Sequence, residues 1–91
     1  NMKELQFTRH AVARMAGRKI STADVKAILA TGVIIKEYPN DTPYPSKLLL
    51  GFISLRPLHV VFSELEDVII IISVHEPDTE LWEADFKRRK A

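Results

Sequence analysis

Apolar positions crowd the second half of the chain. Val60-Val61-Phe62 and the run from Val68 to Val74 flank an acidic stretch, Glu64-Leu65-Glu66-Asp67. β-Branched and aromatic side chains suit a pleated surface, so this pattern predicts a β-hairpin beginning near Arg56. Val68 to Val74 lacks polar alternation, which predicts a strand covered on both faces and placed inside a sheet. Upstream, Val33–Tyr38 and Lys47–Leu55 predict two more strands. In the second of these, Leu48, Leu50 and Phe52 point one way and Leu49, Ile53 and Leu55 the other, so it too is interior. Gly51 within it marks a bulge or a close backbone approach. Met2 to Phe7 alternates weakly and reads as an extended lead-in.

Helical periods occupy the ends. Thr8 is placed to cap a helix over Arg9 to Ala16, with Ala11, Val12, Met15 and Ala16 as its apolar stripe and Gly17 as the left-handed residue that ends it. His10 and Arg14, at i and i+4, lie side by side off that stripe. Ser21-Thr22-Ala23-Asp24 forms a capping box for a second helix over Thr22 to Thr31, stopped by Gly32. Val25, Ile28 and Leu29 are its inward positions. After Glu76-Pro77, Asp78 is placed to cap a last helix over Thr79 to Lys90, with Leu81, Trp82 and Phe86 as its contacts. The predicted order is α-α-β-β-β-β-α. This is an α+β domain over residues 1–91, with a helical hairpin, a four-stranded antiparallel sheet and a C-terminal helix.

Composition narrows the class. With 91 residues, 46% hydrophobic and 27% charged, the chain has the balance of one small globular domain. No apolar run is long enough to span a bilayer, so no membrane partner is expected. Cysteine is absent. That removes disulfides and thiolate metal sites, and fits the reducing cytoplasm. The residue Asn1 ahead of Met2 reads as a cloning remnant. Net charge is +1, but residues 1–30 carry six Lys/Arg against two acids, residues 31–84 three against nine, and residues 85–91 four against one. Basic ends can serve an RNA backbone or simply keep the surface solvated.

The Pro39-Asn40-Asp41-Thr42-Pro43-Tyr44-Pro45 loop is stiffened by three prolines. Tyr38 and Tyr44 flank it as stacking or packing surfaces. No His-x-x-x-His pair, nucleophile elbow or phosphate-cradling glycine loop occurs, so no metal site and no cofactor are expected.

Four blocks carry a resemblance across nearly the whole chain. They are Phe7-Thr8-Arg9-His10-Ala11-x-x-Arg14-Met15, Tyr38-Pro39-x-Asp41-x-Pro43-Tyr44-Pro45-Ser46, Arg56-Pro57-Leu58-His59-Val60-Val61, and Val74-His75-Glu76-Pro77-Asp78-x-x-x-Trp82-x-x-Asp85-Phe86-Lys87-Arg88-Arg89. In order, these resemble bacterial domain-of-unknown-function family 4258, whose members look like RelE-like toxins of type II toxin–antitoxin systems. The resemblance implies a RelE-like (BECR-type) fold, action on RNA or at the ribosome, and a small zinc-finger-type antitoxin as partner. The family more often carries Tyr at position 75, where this chain has His75.

Cutting RNA without a metal takes a base for the 2′-hydroxyl, an acid for the leaving oxygen and cations for the phosphorane. The candidates are His10, His59 and His75, with Arg14 and Arg56 on the phosphate. Arg9, Arg88 and Arg89 add RNA contacts. A two-residue hairpin loop at Leu65-Glu66 would set Arg56 opposite His75 and His59 opposite Ile72. His59, inside an apolar strand, also reads as a core histidine bonded to the first helix. The rival class is a non-catalytic interaction module that binds a protein partner through an exposed sheet face or edge strand; a third is an inactive relative kept as a homo-oligomerising domain.

Overall fold

The structure, a computed structural model, describes residues 3–91. Residues 1 and 2, the second being the first of the expected lead-in, lie outside the described residues. The elements run β1 (Glu4–Phe7), α1 (Arg9–Arg18), α2 (Thr22–Thr31), β2 (Val33–Tyr38), β3 (Ser46–Ile53), β4 (Arg56–Glu64) and β5 (Val68–His75). The strands form one sheet in the order β1-β5-β4-β3-β2. β2, β3, β4 and β5 pair antiparallel in sequence, whereas β1 pairs parallel to β5, with Glu4 opposite Val68 and Phe7 opposite Ile71.

The expected four-stranded antiparallel sheet is therefore corrected to a five-stranded mixed sheet. The lead-in is a true edge strand. Its backbone amides and carbonyls find partners on β5, and Lys3 Nζ anchors its start on the Leu65 carbonyl (2.7 Å) and the Glu64 carboxylate (2.9 Å). No helix among the described residues is long and apolar enough to cross a membrane.

Local chemistry explains the helices. The Thr8 hydroxyl accepts from the Ala11 amide and donates to the Ile72 carbonyl, so one side chain caps α1 and ties it to β5. Ser21 and Asp24 make both bonds of the capping box. Two expectations for α1 change. The helix passes through Gly17, and the left-handed residue that ends it is Lys19, at φ 57°. Of the expected stripe only Ala11 and Met15 are buried. In place of a helical hairpin, each helix docks on the sheet, α1 against β5 and α2 against β3. Ala11, Met15, Val25 and Ile28 meet Leu49, Leu58, Val60, Phe62, Ile71 and Val74 in one core.

The expected C-terminal helix does not form. Residues 77–91 instead make a non-helical strap with a bridge between Trp82 and Arg89. The expected cap does form, with Asp78 Oδ1 accepting from the Glu80 amide (2.8 Å) and the Trp82 amide donating to the Asp78 carbonyl (3.0 Å), but one turn later Asp85 Oδ1 takes the Lys87 amide (2.9 Å) and the helix is not continued. Phe86 sits at φ 59°, which no right-handed helix accommodates. The Lys87–Lys90 run thus ends no helix, and Leu81 is exposed.

Candidate functional site

The two faces of the sheet have different covers. α1 and α2 take the face bearing Leu58, Val60, Phe62 and Val74. The opposite face carries His59, Val61 and Ser63 on β4, across from His75, Ser73 and Ile70 on β5. Directly opposed residues share a face, so these six form a continuous floor. The strap walls one end: the Trp82 ring stands edge-on to His59 at 4.5 Å and Phe86 packs edge-on to Phe52 at 6.4 Å. At the other end the 39–45 loop closes over Ser63, whose hydroxyl donates to the Pro45 carbonyl at 2.8 Å.

The register differs from the expected one. Glu64 faces Ile69, and a bulge between Val61 and Phe62 brings His59 opposite His75. Their rings meet edge to face, with centroids 5.7 Å apart. Arg56 consequently lies beyond β5 and does not face His75. Its guanidinium donates to Glu76 Oε2 (2.8 Å) and to the Arg18 carbonyl (2.7 Å), tying β4 to the end of α1. Of the expected site residues, Arg56 is the one committed to holding the frame.

His59 is fully buried. Its Nε2–H donates to the Phe86 carbonyl at 2.8 Å, so it holds the strap and not the first helix as expected. With the proton on Nε2, Nδ1 is an acceptor, buried and without a partner among the described residues. Burial lowers the His59 pKa below its ordinary 6.5, and the Phe86 bond only partly offsets this.

His75 is half-buried at the end of β5, and its Nδ1 hydrogen-bonds Ser73 Oγ at 3.3 Å. Its pKa is also lowered, first by burial, then by the charges of His59, Arg14 and His10. That influence requires proximity, and the topology supplies it. β1 stops opposite Ile71, and α1 then runs beside the free half of β5. His10 and Arg14 are exposed on α1. The structure thus pairs His59 with His75 and places His10 and Arg14 on the helix that packs against their strand.

The other expected contacts stand apart from that group. Arg9 is exposed at the first turn of α1. Arg88 pairs with Asp85 at 3.0 Å, and Arg89 lies over the Trp82 ring at 5.5 Å.

A match to the family model described as Domain of unknown function (DUF4258) covers residues 7–76. The chain belongs to this family. Comparison with curated proteins finds no match, and comparison with solved structures finds none. The matched span of this DUF4258 member holds α1, β4 and β5, and with them His10, Arg14, His59 and His75; the strap lies outside it.

Two contributors escape a residue-type search. Ser73 is signalled only by its i−2 spacing from His75, which on a strand means a shared face. Trp82 reads in sequence as a helix contact, and its place against His59 follows from the strap's path alone.

Proposed function

We propose that this DUF4258 domain is a toxin-type, RNA-directed protein that cleaves the phosphodiester backbone by acid–base chemistry, functionally akin to RelE-like toxins. The observation that carries the reading is the packing of α1 on β5, which puts an exposed histidine and arginine on the helix beside a half-buried histidine of lowered pKa. A neutral imidazole at physiological pH is a competent proton acceptor. His75 takes the 2′-hydroxyl proton, the 2′-oxygen bonds to phosphorus, and the bond to the 5′-oxygen breaks. His10 protonates that leaving oxygen. The products are a 2′,3′-cyclic phosphate and a free 5′-hydroxyl. Arg14 holds the phosphate oxygens as charge develops. His59 acts through His75 and the strap, and is a positioning residue. The basic segment around Arg88 and Arg89 adds backbone contacts, with Arg9 beside the helix. In this reading the protein works in the cytoplasm and is neutralised by a partner antitoxin.

The test is controlled expression in a bacterial host with total RNA resolved on a gel. Wild-type expression is expected to arrest growth and produce new RNA fragments. His10→Ala, Arg14→Ala and His75→Ala are expected to grow normally at equal protein levels. Full toxicity in these variants would refute the assignment.

A second reading, the interaction module, has its own support in the β2 edge. Val33 and Ile34 there are 52% and 45% exposed, and Leu55 in the β3–β4 turn is 95% exposed. It predicts normal growth, intact RNA and a stable complex.

A further inference from the structure

The proline-rich loop belongs to no step of this chemistry, yet it is built with care. The Asp41 amide donates to the Tyr38 carbonyl at 3.2 Å, and Asp41 Oδ2 accepts from the Ser46 hydroxyl at 2.7 Å. Asp41 Oδ1 accepts from the Thr42 amide at 3.2 Å. Pro39, Pro43 and Pro45 fix φ at three positions. The loop is therefore a rigid wall. Beneath it opens a cleft of about 380 Å³ lined by Thr8, Asp41, Thr42, Tyr44, Ser63 and Ile72, among others. Tyr44 is 43% exposed, so its ring is available at the rim.

This cleft lies on the same sheet face as the histidine site. Ser63 and His59 lie on one face of β4, and Ile72 precedes His75 by three residues on β5. At the usual strand rise, that step is about 10 Å. Thr8 caps the helix that carries His10.

We propose that the cleft is a nucleobase subsite, taking a base of the same RNA strand whose phosphate lies at His75; this rests on the RNA-directed reading above. Tyr44 supplies the stacking face, which any base can use. Ile72 supplies an apolar floor. Each Asp41 oxygen keeps a lone pair beyond its present bond, so the carboxylate accepts from N–H groups on a base edge. Guanine presents two such groups side by side and is the favoured occupant. An acidic ligand is disfavoured by the same carboxylate.

The test uses the full chain and follows backbone amide resonances during titration with guanosine 5′-monophosphate, and with ribose 5-phosphate as the baseless control. The guanosine nucleotide is expected to shift amides at Asp41, Thr42, Tyr44, Ser63 and Ile72, and the control is not. Tyr44→Ala, at an exposed position, is expected to weaken binding roughly tenfold, the scale of one lost base–aromatic stack. Tyr44→Phe is expected to keep it. Equal shifts with ribose 5-phosphate, or unchanged affinity in Tyr44→Ala, would overturn the subsite. The two proposals fail separately. Base-dependent shifts at Tyr44 with uncut RNA sink the cleavage chemistry and keep the subsite. RNA cleavage whose KM is indifferent to Tyr44→Ala does the reverse.

Discussion

Replacing His59 with alanine probes how the strap is held. The side chain is 0% exposed, its ring lies 4.5 Å from Trp82, and its Nε2–H donates to the Phe86 carbonyl at 2.8 Å. Emptying a buried site of this size costs about 3 kcal/mol in transfer and cavity terms. Losing the hydrogen bond costs about 1 kcal/mol more. Removing Nδ1, buried without a partner among the described residues, returns about 1 kcal/mol of desolvation. The balance is a loss of about 3 kcal/mol. A domain this long has a stability of roughly 5–13 kcal/mol, so the variant still folds, with Tm lowered on the order of 10–20 °C. Urea unfolding followed by far-UV circular dichroism and by the fluorescence of Trp82, the chain's only tryptophan, reads both sheet and strap. In the variant the Trp82 transition is expected to precede the circular dichroism transition, because the strap has lost its tether. A loss below about 1 kcal/mol, with coincident transitions, would refute the reasoning.

Three further outcomes follow from the geometry. A methyl at Gly51 would lie 2.5 Å from Ile28 Cγ2, so Gly51→Ala is expected to cost about 1–3 kcal/mol in urea unfolding, and less when Ile28→Ala makes room. Both His59 and His75 have pKa values below the ordinary 6.5. Well above pH 6.5 they are neutral in both states; as the pH falls through 6.5 the unfolded chain binds protons first, so stability should fall with it, and His75→Gln should flatten that slope. Arg56→Ala loses its bonds to Glu76 and to the Arg18 carbonyl, and is expected to cost about 1 kcal/mol, most of it from the carbonyl bond. Its effect on RNA cleavage should be smaller than that of Arg14→Ala.

Local signals were readable where a few neighbouring residues decide the outcome. Thr8, Ser21 and Asp24 cap their helices by contacts three residues away, which spacing alone reveals. β3, β4 and β5 follow from β-branched runs. The register between β4 and β5 was not legible, because Val68 to Ile72 is apolar on both faces and gives no alternation that a slip would break. The wider turn, which sets Glu64 opposite Ile69, and the bulge at Val61/Phe62 together decide that His59, and not Arg56, faces His75. β1 finds its parallel partner some sixty residues along the chain, beyond any local pattern. The last helix stopped at its capped first turn because Asp85 offers the backbone local bonds and Phe86 turns left-handed, which helix periodicity does not register. The candidate residues were thus visible as residue types, and their arrangement only through the sheet.

The most direct measurement incubates the purified chain with end-labelled RNA of mixed sequence, alone and on translating ribosomes, in parallel with His75→Ala. The account predicts fragments ending in 2′,3′-cyclic phosphate from the wild type, and a rate lower by about 100-fold or more in the variant. Intact RNA in both settings, or wild-type cleavage by His75→Ala, would contradict it.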